Sequence, residues 1–387
     1  MNTVPPTILA FGAWLKNAAC LWQPGQPAHW SAIHGDLSDP QACEALRHSV
    51  AHMVGDLMAK GRRPDAIAHD LHPDFFSTRL ALETADQLGV PAIGVQHHHA
   101  HIGAAMATHR LNEPVIGLAL DGVGLGTDGT AWGGEMLYVD GHRWERLGHL
   151  SHLALPGGDK AAREPWRVAA SALHALGRGD EIAERLATVS SPAAARTVSQ
   201  MLDKGLNCPP TSSAGRWFDA AASALRICQH QQDEAEAAIA LEKAAAMALE
   251  EDPDILAIDG VTTAQDGVLD LRHMWAQLLD APTRDIGRLA AGFHLALAEG
   301  LADWAIQAAR MRQVKAVALA GGCFFNRILR ERLHAQLSSC GLRVYLQTEQ
   351  GFGDAGLAIG QAWVAAQQMT GQPDAVVTTR KEPHSCV

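Results

Sequence analysis

The chain has 387 residues, of which 47% are hydrophobic, so it can bury a core of ordinary globular size. Its length suits about two or three domains, or one duplicated fold with an insertion. The formal net charge of −11 disfavours a broad nucleic-acid surface, and no apolar run approaches the length needed to cross a bilayer. We therefore expect neither a nucleic-acid nor a membrane partner.

The cysteines and the N-terminus indicate the compartment. The seven cysteines form no C-x-x-C pair and are odd in number, which favours free thiols in a reducing compartment over a disulfide framework or a zinc finger. The first nine residues lack the basic and apolar regions of a signal peptide. These features predict a cytoplasmic, soluble protein.

The first part of the chain alternates strands and helices. Residues 7–14 predict a strand that opens into a tight turn at Lys16 and Asn17, and 18–22 predict the returning strand. The segments that follow are helix 40–60, strand 65–70, helix 76–88 and strand 90–95. This alternation predicts an α/β architecture with parallel strands.

The pattern begins again after a helix predicted over 98–110. An apolar strand at 115–120 runs into a glycine-rich turn over 121–129, and 130–138 predict a returning strand. The order of strand, small-residue turn and returning strand is also the order at the start of the chain. An internal duplication of one α/β unit is the simplest explanation.

Alanine-rich helices dominate from about 155 to 312, and 254–271 predict two short strands among them. The helices are expected at 163–176, 181–188, 193–203, 213–229, 233–250 and 285–312. The α/β pattern resumes with a strand at 314–319, a turn into a helix at 320–326, a strand at 342–346 and a helix at 355–369. The polar tail from about 371 is expected to be frayed.

Four histidines occupy positions 97, 98, 99 and 101 at the predicted start of a helix. His97 and His101 would lie one turn apart on the same face, close enough to bind one metal ion. The alternative is a half-buried helix start whose histidines are structural. His98 and His99 are expected to face solvent or to lie outside the direct ligand set.

Two carboxylates could complete such a site. Asp121 follows the apolar strand at 115–120, and Asp354 stands at the start of the last helix, where it could simply cap that helix. With His97 and His101 they would form a set of two imidazoles and two carboxylates, which suits a divalent zinc or iron ion. The sequence alone does not bring these distant residues together.

Glycine-rich turns offer sites where a backbone can approach phosphate or ribose. The turn at 121–129 contains Gly122, Gly124, Gly126 and Thr127, but its spacing is neither the dinucleotide fingerprint nor the Walker loop. A plain hairpin is the alternative there. A second such turn contains Gly321, Gly322 and Asn326, for which close strand–helix packing is the alternative.

The sequence predicts two further candidate polar sites. Residues 212–219 begin a predicted helix and contain Gly215 and Asp219, with a capped helix carrying core aromatics as the alternative. Asp70 ends a predicted strand and His72 follows it, with an ordinary loop as the alternative.

A series of short motifs runs through nearly the whole chain. In order they are Leu15-Lys16-Asn17, His34-Gly35-Asp36-Leu37, Asp70-Leu71-His72-Pro73, Val95-Gln96-His97-His98-His99-Ala100-His101, Leu120-Asp121-Gly122, Gly126-Thr127-Asp128-Gly129, Trp132-Gly133-Gly134-Glu135, Leu155-Pro156-Gly157-Gly158-Asp159, Gly215-Arg216-Trp217-Phe218-Asp219, Gly321-Gly322-Cys323-Phe324-Phe325-Asn326 and Asp354-Ala355-Gly356-Leu357. Together they resemble the C-terminal catalytic module of the hydrogenase maturation carbamoyltransferases of the HypF family.

The resemblance implies a fold. That module is similar to the TsaD family of tRNA threonylcarbamoyl transferases and belongs to the actin-like ATPase (ASKHA) superfamily, an α/β class with a duplicated ribonuclease-H-like core. The expected organisation is a first actin-like lobe over 1–113, a second lobe over 114–370 with a large helical insertion at about 155–312, and a tail over 371–387.

The resemblance also implies ligands. A divalent metal would be held by His97 and His101 with Asp121 and Asp354. The phosphates of ATP or carbamoyl-adenylate would lie between Lys16 and Asn17 and a loop that contains Gly122, Gly124, Gly126 and Thr127. Adenosine would be held by Gly215, Asp219, Gly321, Gly322 and Asn326.

The implied reaction is transfer of carbamoyl from carbamoyl-adenylate to the C-terminal cysteine of HypE, for the cyanide ligands of nickel–iron hydrogenase. Lys16 would stabilise charge on the phosphate, and His72 could act as the base. Because this sequence starts at the transferase module, a YrdC-like domain or a full-length HypF is expected to supply the adenylate. The alternatives are a small-molecule O-carbamoyltransferase and a non-catalytic nucleotide-binding scaffold that docks HypE; a tRNA-modifying role is disfavoured by the acidic balance.

Overall fold

The computed structural model describes residues 5–281, 285–347 and 353–371. Its strands are β1 Ile8–Ala10, β2 Cys20–Trp22, β3 His29–Trp30, β4 Ala66–Asp70, β5 Ala92–Val95, β6 Val115–Leu125, β7 Ala131–Asp140, β8 Arg143–His149, β9 Leu153–Ala154, β10 Pro210–Thr211, β11 Thr262–Thr263, β12 Leu269–Asp270, β13 Ala316–Ala320 and β14 Arg343–Leu346. Its helices are α1 Pro40–Ala59, α2 Phe76–Leu88, α3 His97–His109, α4 Asp159–Arg163, α5 Pro165–Ala175, α6 Ile182–Arg185, α7 Pro192–Lys204, α8 Ala214–Ala224, α9 Glu236–Glu251, α10 Arg272–Asp280, α11 Ile286–Arg312, α12 Arg327–Ser339 and α13 Leu357–Thr370. None of these helices is long and apolar enough to span a membrane.

The first sheet is built from the N-terminal part of the chain. Its five strands lie in the order β3-β2-β1-β4-β5. Strand β1 pairs antiparallel with β2 and parallel with β4, which in turn pairs parallel with β5. The first crossover helix, α1, begins where the Asp39 side chain accepts a hydrogen bond from the backbone N–H of Gln41, with Pro40 at its first position.

The second sheet repeats this scheme. Strand β6 pairs antiparallel with β7, which carries β8, and β6 pairs parallel with β13, which carries β14. The short strands β10 and β9 extend the β7 side. The predicted duplication of one α/β unit is therefore confirmed by the repeated order of pairing.

The inserted helices lie between β8 and the second crossover. In this second unit, α11 takes the place that α1 has in the first, between the third and fourth strands of the repeated unit. By this equivalence α11 belongs to the repeated unit, while the insertion predicted over about 155–312 stays a prediction. The boundary predicted at 113/114 stays a prediction, although it falls just before β6.

Several local predictions differ from the structure. Strand β6 continues to Leu125, so the predicted turn over 121–129 is wrong in its first half, and the register shifts between Leu120 and Gly124. Strand β8 and helix α10 were not predicted from the sequence. The helix predicted over 213–229 ends at Ala224. The tail beyond Gly371, with Cys386, lies outside the described residues.

Helices α3 and α13 join the two units. Gly360 of α13 lies so close to α3 that a Cβ on it would meet the backbone oxygen of Ala100. The Gln361 side chain accepts from the backbone N–H of Gly12 at 2.9 Å and donates to its carbonyl at 3.1 Å. A single apolar cluster includes side chains from both sheets, among them Ile8 and Val317. The two units therefore share one continuous core.

Candidate metal centre and nucleotide cleft

Four side chains from distant parts of the sequence converge at one point. One ligand atom from each lies within 4.8 Å of the ligand atoms of the other three, and the four residues are His97, His101, Asp121 and Asp354. The histidines belong to the first turns of α3, Asp121 lies within β6, and Asp354 lies in the 3-10 turn that precedes α13. The cluster thus joins the first unit to the second.

The start of α3 fixes the spacing of the two histidines. The Gln96 side chain caps the helix by accepting a hydrogen bond from the backbone N–H of His99 at 2.9 Å. Because the helix begins here, His97 and His101 face the same side, with ring centroids 4.9 Å apart. Gly124 of β6 makes room for them, since a Cβ there would lie 2.6 Å from the His97 ring.

Asp70, at the end of β4, orients His97. The Nδ1 atom of His97 lies 2.8 Å from the Asp70 carboxylate, and both side chains are buried. Donation of the Nδ1 proton to Asp70 leaves Nε2 as the free lone pair, which is the usual arrangement around a metal-bound histidine. The sequence predicted Asp70 as part of a candidate polar site at a strand end, without assigning it a partner. Its position at a strand end was the available signal, but its contact with His97 is tertiary.

The geometry fits a metal ion. The Nε2 atoms of His97 and His101 each lie 3.4 Å from Asp121 Oδ2 and 3.6 Å from Asp354 Oδ1. Both ring nitrogens of His101 are buried and have no hydrogen-bond partner among the described residues. A buried nitrogen that faces two carboxylates without bonding to either fits a metal ligand.

The histidines and carboxylates of the cluster shift one another's pKa values. Burial alone would lower the pKa of His97, but hydrogen bonds with Asp121, Asp354 and Asp70 raise that pKa well above its ordinary value. Burial would raise the pKa of Asp121, yet His101 and His97 hold it well below its ordinary value. Since imidazole ligates in its neutral form, a divalent cation could replace these protons in balancing the carboxylates.

The glycine turn after β13 holds Asp121. The backbone N–H of Gly322 donates to Asp121 Oδ1 at 3.1 Å. Gly321 has a φ of 105° and lies against the Leu120 carbonyl, so a side chain there would be excluded both by backbone conformation and by contact. The turn predicted to approach a nucleotide thus also holds one carboxylate of the four-residue cluster in place.

His98 and His99 are buried and lie outside the four-residue cluster, so of the two expected alternatives they do not face solvent. His98 Nε2 lies 3.8 Å from the buried carboxylate of Glu135, and His99 Nε2 lies 3.2 Å from the carbonyl of Gly141. Glu135 accepts from the Ser212 hydroxyl at 2.5 Å and from Arg146 at 2.7 Å. This buried network beneath the cluster was missed by sequence reasoning.

The predicted phosphate loop divides into two kinds of position. A Cβ on Gly122 would meet nothing within 4 Å, so this position is open, and Thr127 is exposed at the tip of the hairpin. Gly124 packs on the histidine rings and Gly126 on the Trp132 ring, where any side chain would overlap them. The contacts of Gly124 and Gly126 are therefore packing contacts, and nucleotide binding by this loop stays a prediction.

Both predicted asparagines use their amides inside the fold. Asn17 donates to the carbonyls of Phe11 and Ala13, both at 2.8 Å, and its oxygen lies 2.9 Å from His34 Nδ1. The Asn326 oxygen accepts from the N–H of Leu329 at 2.9 Å and caps α12. Its amide nitrogen lies 2.9 Å from His294 Nε2. Both side chains therefore hold their turns in place, and contact of either asparagine with a nucleotide stays a prediction.

The two residues predicted to be catalytic lie outside the four-residue cluster. Lys16 Nζ lies 2.9 Å from Glu234 Oε2, and the Lys16 side chain is 54% exposed. The His72 ring stacks on Phe75 with centroids 4.2 Å apart, and its Nδ1 accepts from the N–H of Asp74 at 3.3 Å. To accept a proton on Nδ1, His72 must give up that contact.

Gly215 is partly exposed, whereas Asp219 is buried. A Cβ on Gly215 would lie 3.2 Å from Gly122 Cα, so the start of α8 packs against the end of β6. Asp219 is 1% exposed, and its carboxylate lies 2.8 Å from Arg216 Nε. Burial raises the pKa of Asp219 to about 6, although Arg216 and Gln231 oppose this rise.

Two family models match the chain. Residues 3–108 match the HypF Kae1-like domain, and residues 117–361 match the second subdomain of the carbamoyltransferase Kae1-like domain. The chain belongs to the HypF family of carbamoyltransferases. This confirms the family resemblance and the carbamoyltransferase class that the motifs predicted.

HypF relatives of two lengths are similar to this chain. A carbamoyltransferase HypF homolog of Cupriavidus necator is 56% identical, over 94% of this chain and 92% of that protein. Carbamoyltransferase HypF2 of the same organism is 46% identical over 94% of this chain, and HypF of Rhizobium leguminosarum is 43% identical over 94%. The chain covers 47% and 45% of these two proteins. It thus spans nearly all of one curated relative and about half of the others.

Solved HypF structures share the fold. A crystal structure of full-length HypF in the phosphate- and nucleotide-bound form superposes with a TM-score of 0.83 at 29% identity, over 95% of this chain and 47% of that one. A crystal structure of T. kodakarensis HypF gives 0.85 at 32% identity, over 95% and 48%. With the repeated strand order, these matches confirm the predicted ASKHA fold class.

Proposed function

We propose that this chain transfers a carbamoyl group from carbamoyl-adenylate to the C-terminal cysteine of HypE, for cyanide-ligand synthesis in hydrogenase maturation. The observation that carries the proposal is the convergence of two histidines and two carboxylates between the units, in a member of a carbamoyltransferase family. The adenylate would come from a YrdC-like domain or from a full-length HypF.

The proposed chemistry is an acyl transfer. The HypE thiolate attacks the carbamoyl carbon, a carbon–sulfur bond forms, and the bond from carbon to the phosphate oxygen breaks, so that AMP leaves with the electron pair. A divalent zinc or iron ion held by His97, His101, Asp121 and Asp354 would supply positive charge to the phosphate and the carbamoyl oxygen. We assign removal of the thiol proton to His72.

The nucleotide is proposed to lie between the units. Gly122 is open, and it is flanked by the start of α8 and by the turn at Gly321 and Gly322. A related full-length HypF crystallised with phosphate and nucleotide, which supports a nucleotide site in this fold. Lys16 lies in the turn between β1 and β2, and its side chain would reach the phosphates once it leaves Glu234.

A transfer assay tests the proposal. The purified chain is incubated with zinc or ferrous ion, carbamoyl-adenylate and HypE, and the mass of HypE is measured. We expect one carbamoyl group on the C-terminal cysteine and none on HypE in which that cysteine is replaced by serine. Binding of HypE without transfer would sink the enzyme proposal and favour a scaffold. Transfer to a small hydroxyl compound instead would favour an O-carbamoyltransferase.

The metal is tested separately. His101→Ala removes a buried nitrogen that has no other partner, so we expect it to lose the metal that the wild-type chain retains after dialysis. His48→Ala replaces an exposed histidine on α1 and should retain it. Wild-type metal content in His101→Ala, measured by elemental analysis, would show the ligand assignment to be wrong.

A further inference from the structure

Arg216 lies in the first turn of α8, which packs against β6 just after Asp121. The Ser213 hydroxyl caps this helix, and it also donates to the carbonyl of Gly122 at 2.6 Å. Gly215 packs directly on Gly122. The first turn of α8 is therefore fixed against the open end of the proposed nucleotide site.

The guanidinium of Arg216 is only partly used by the fold. Its side chain is 14% exposed, and its Nε lies 2.8 Å from Asp219 Oδ2. This contact lacks hydrogen-bond geometry, and both atoms are buried without a hydrogen-bond partner among the described residues. A guanidinium carries five N–H donors, so most of them remain for a ligand or for water.

The placement of this cation is unfavourable for the fold alone. A positive charge in the first turn of a helix opposes the helix dipole, and Asp219 neutralises it at the cost of burying a carboxylate. Burial raises the pKa of the Cys323 thiol in the facing turn, Asp121 raises it further, and Arg216 opposes both. The charge of Arg216 therefore lies near the turn whose Gly322 N–H donates to Asp121.

Two other described cations of this region, Lys16 and Arg146, form ion pairs with more than one oxygen or with an exposed partner. Lys16 pairs with Glu234 at the surface, and Arg146 pairs with Glu135 and Asp128. The metal cluster itself contributes carboxylates. A phosphate that enters beside Gly122 would lie near the first turn of α8, where the guanidinium of Arg216 can donate to it.

We propose that Arg216 binds the phosphate of the nucleotide substrate, and that Asp219 is a positioning residue that holds the guanidinium. This deepens the proposed function and rests on it. It also changes the role given to Asp219 in the motif at 215–219, because this carboxylate is 1% exposed and lies 2.8 Å from Arg216 Nε.

Binding of ADP and of adenosine, measured by calorimetry, tests the assignment. Arg216→Gln should weaken ADP binding at least about tenfold and leave adenosine binding within about twofold, because only ADP carries phosphate. Arg216→Lys should give an intermediate loss, since the charge remains without the planar fork. Arg196→Gln, on the exposed face of α7, should bind both ligands as the wild type does.

The outcomes separate this inference from the proposed function. Unchanged ADP binding in Arg216→Gln, or equal losses for ADP and adenosine, would overturn the phosphate contact. A wild-type chain that binds neither ligand would overturn both proposals. Arginine-dependent ADP binding without carbamoyl transfer would leave the contact standing and remove only the transferase proposal.

A double-mutant cycle tests the positioning role. Asp219→Asn should weaken ADP binding in the wild-type background and have no further effect in the Arg216→Gln background, because it acts through Arg216. Additive losses in the double variant would indicate a general structural role for Asp219 instead.

Discussion

Asp219 links a functional position to a measurable pH dependence. Its pKa is raised to about 6 by burial, above the ordinary value near 3.8. The folded chain therefore holds a proton on Asp219 that the unfolded chain has lost between about pH 4 and pH 6, so stability falls as pH rises through this window. Above about pH 6 the charged, buried carboxylate lowers the free energy of unfolding by on the order of 3 kcal/mol.

Asp219→Asn removes this titration. We expect the melting temperature of the variant, relative to wild type, to rise between pH 4 and pH 7, as measured by thermal unfolding across the range. The matched control is Asp303→Asn, which changes an exposed carboxylate on α11 and should give a difference independent of pH. A flat difference for Asp219→Asn would contradict the raised pKa.

At this scale the sequence predicted some contacts and not others. The spacing of His97 and His101 follows from helical periodicity, so their common face was predictable. The contacts of Asp70 and Glu135 depend on which strands become neighbours, and no local pattern carries that information. The resemblance assigned Asp219 to adenosine, and that contact stays a prediction; its burial beside Arg216 depends on tertiary packing that no local pattern shows.

Helices α3 and α13 are the elements that set the metal site. Asp354 precedes α13 and the histidines begin α3, so the close approach of these helices determines the distances between their ligand atoms. Gly360→Ala would place a Cβ inside the van der Waals radius of the Ala100 carbonyl oxygen, which neither backbone can accommodate without shifting. We expect a loss of about 1–3 kcal/mol in the free energy of unfolding, or more, together with weaker metal binding.

Denaturant unfolding and metal titration measure these two effects. Gly55→Ala in α1 is the matched control, because a Cβ there meets nothing within 4 Å and alanine favours a helix by about 0.5–1 kcal/mol over glycine. Wild-type stability in Gly360→Ala would show that the helices do not approach as closely as described.

Element prediction succeeded where a periodic pattern was strong. Helix α2 and strand β4 were predicted within a residue, since capping and apolar runs mark them. The extension of β6 to Leu125 was missed because glycines there suggested a turn, whereas they are needed for packing against His97 and Trp132. Strand β8 is partly exposed and rich in charge, so its sequence lacks an apolar run.

The duplication organises the whole molecule. Repetition of strand, turn and returning strand was visible in the sequence, but the equivalence of α11 with α1 emerges only from the sheet order. The two units meet through one continuous core and through the metal cluster, whose ligands come from both. We therefore expect stability and metal binding at the proposed site to be coupled across the interface between the units.

This coupling predicts how the chain unfolds. Because the core is continuous, we expect one cooperative transition in calorimetry with or without metal, and a higher melting temperature when zinc is added. A ligand at about a thousandfold its Kd stabilises the folded state by about 4 kcal/mol, provided that it does not bind the unfolded chain. Asp354→Asn removes a carboxylate of the second unit and should reduce the zinc-induced rise, while Asp303→Asn should not. Two separate transitions in the metal-free chain would instead mean that the units are held together chiefly by the metal, and that the shared apolar core contributes little to their cohesion.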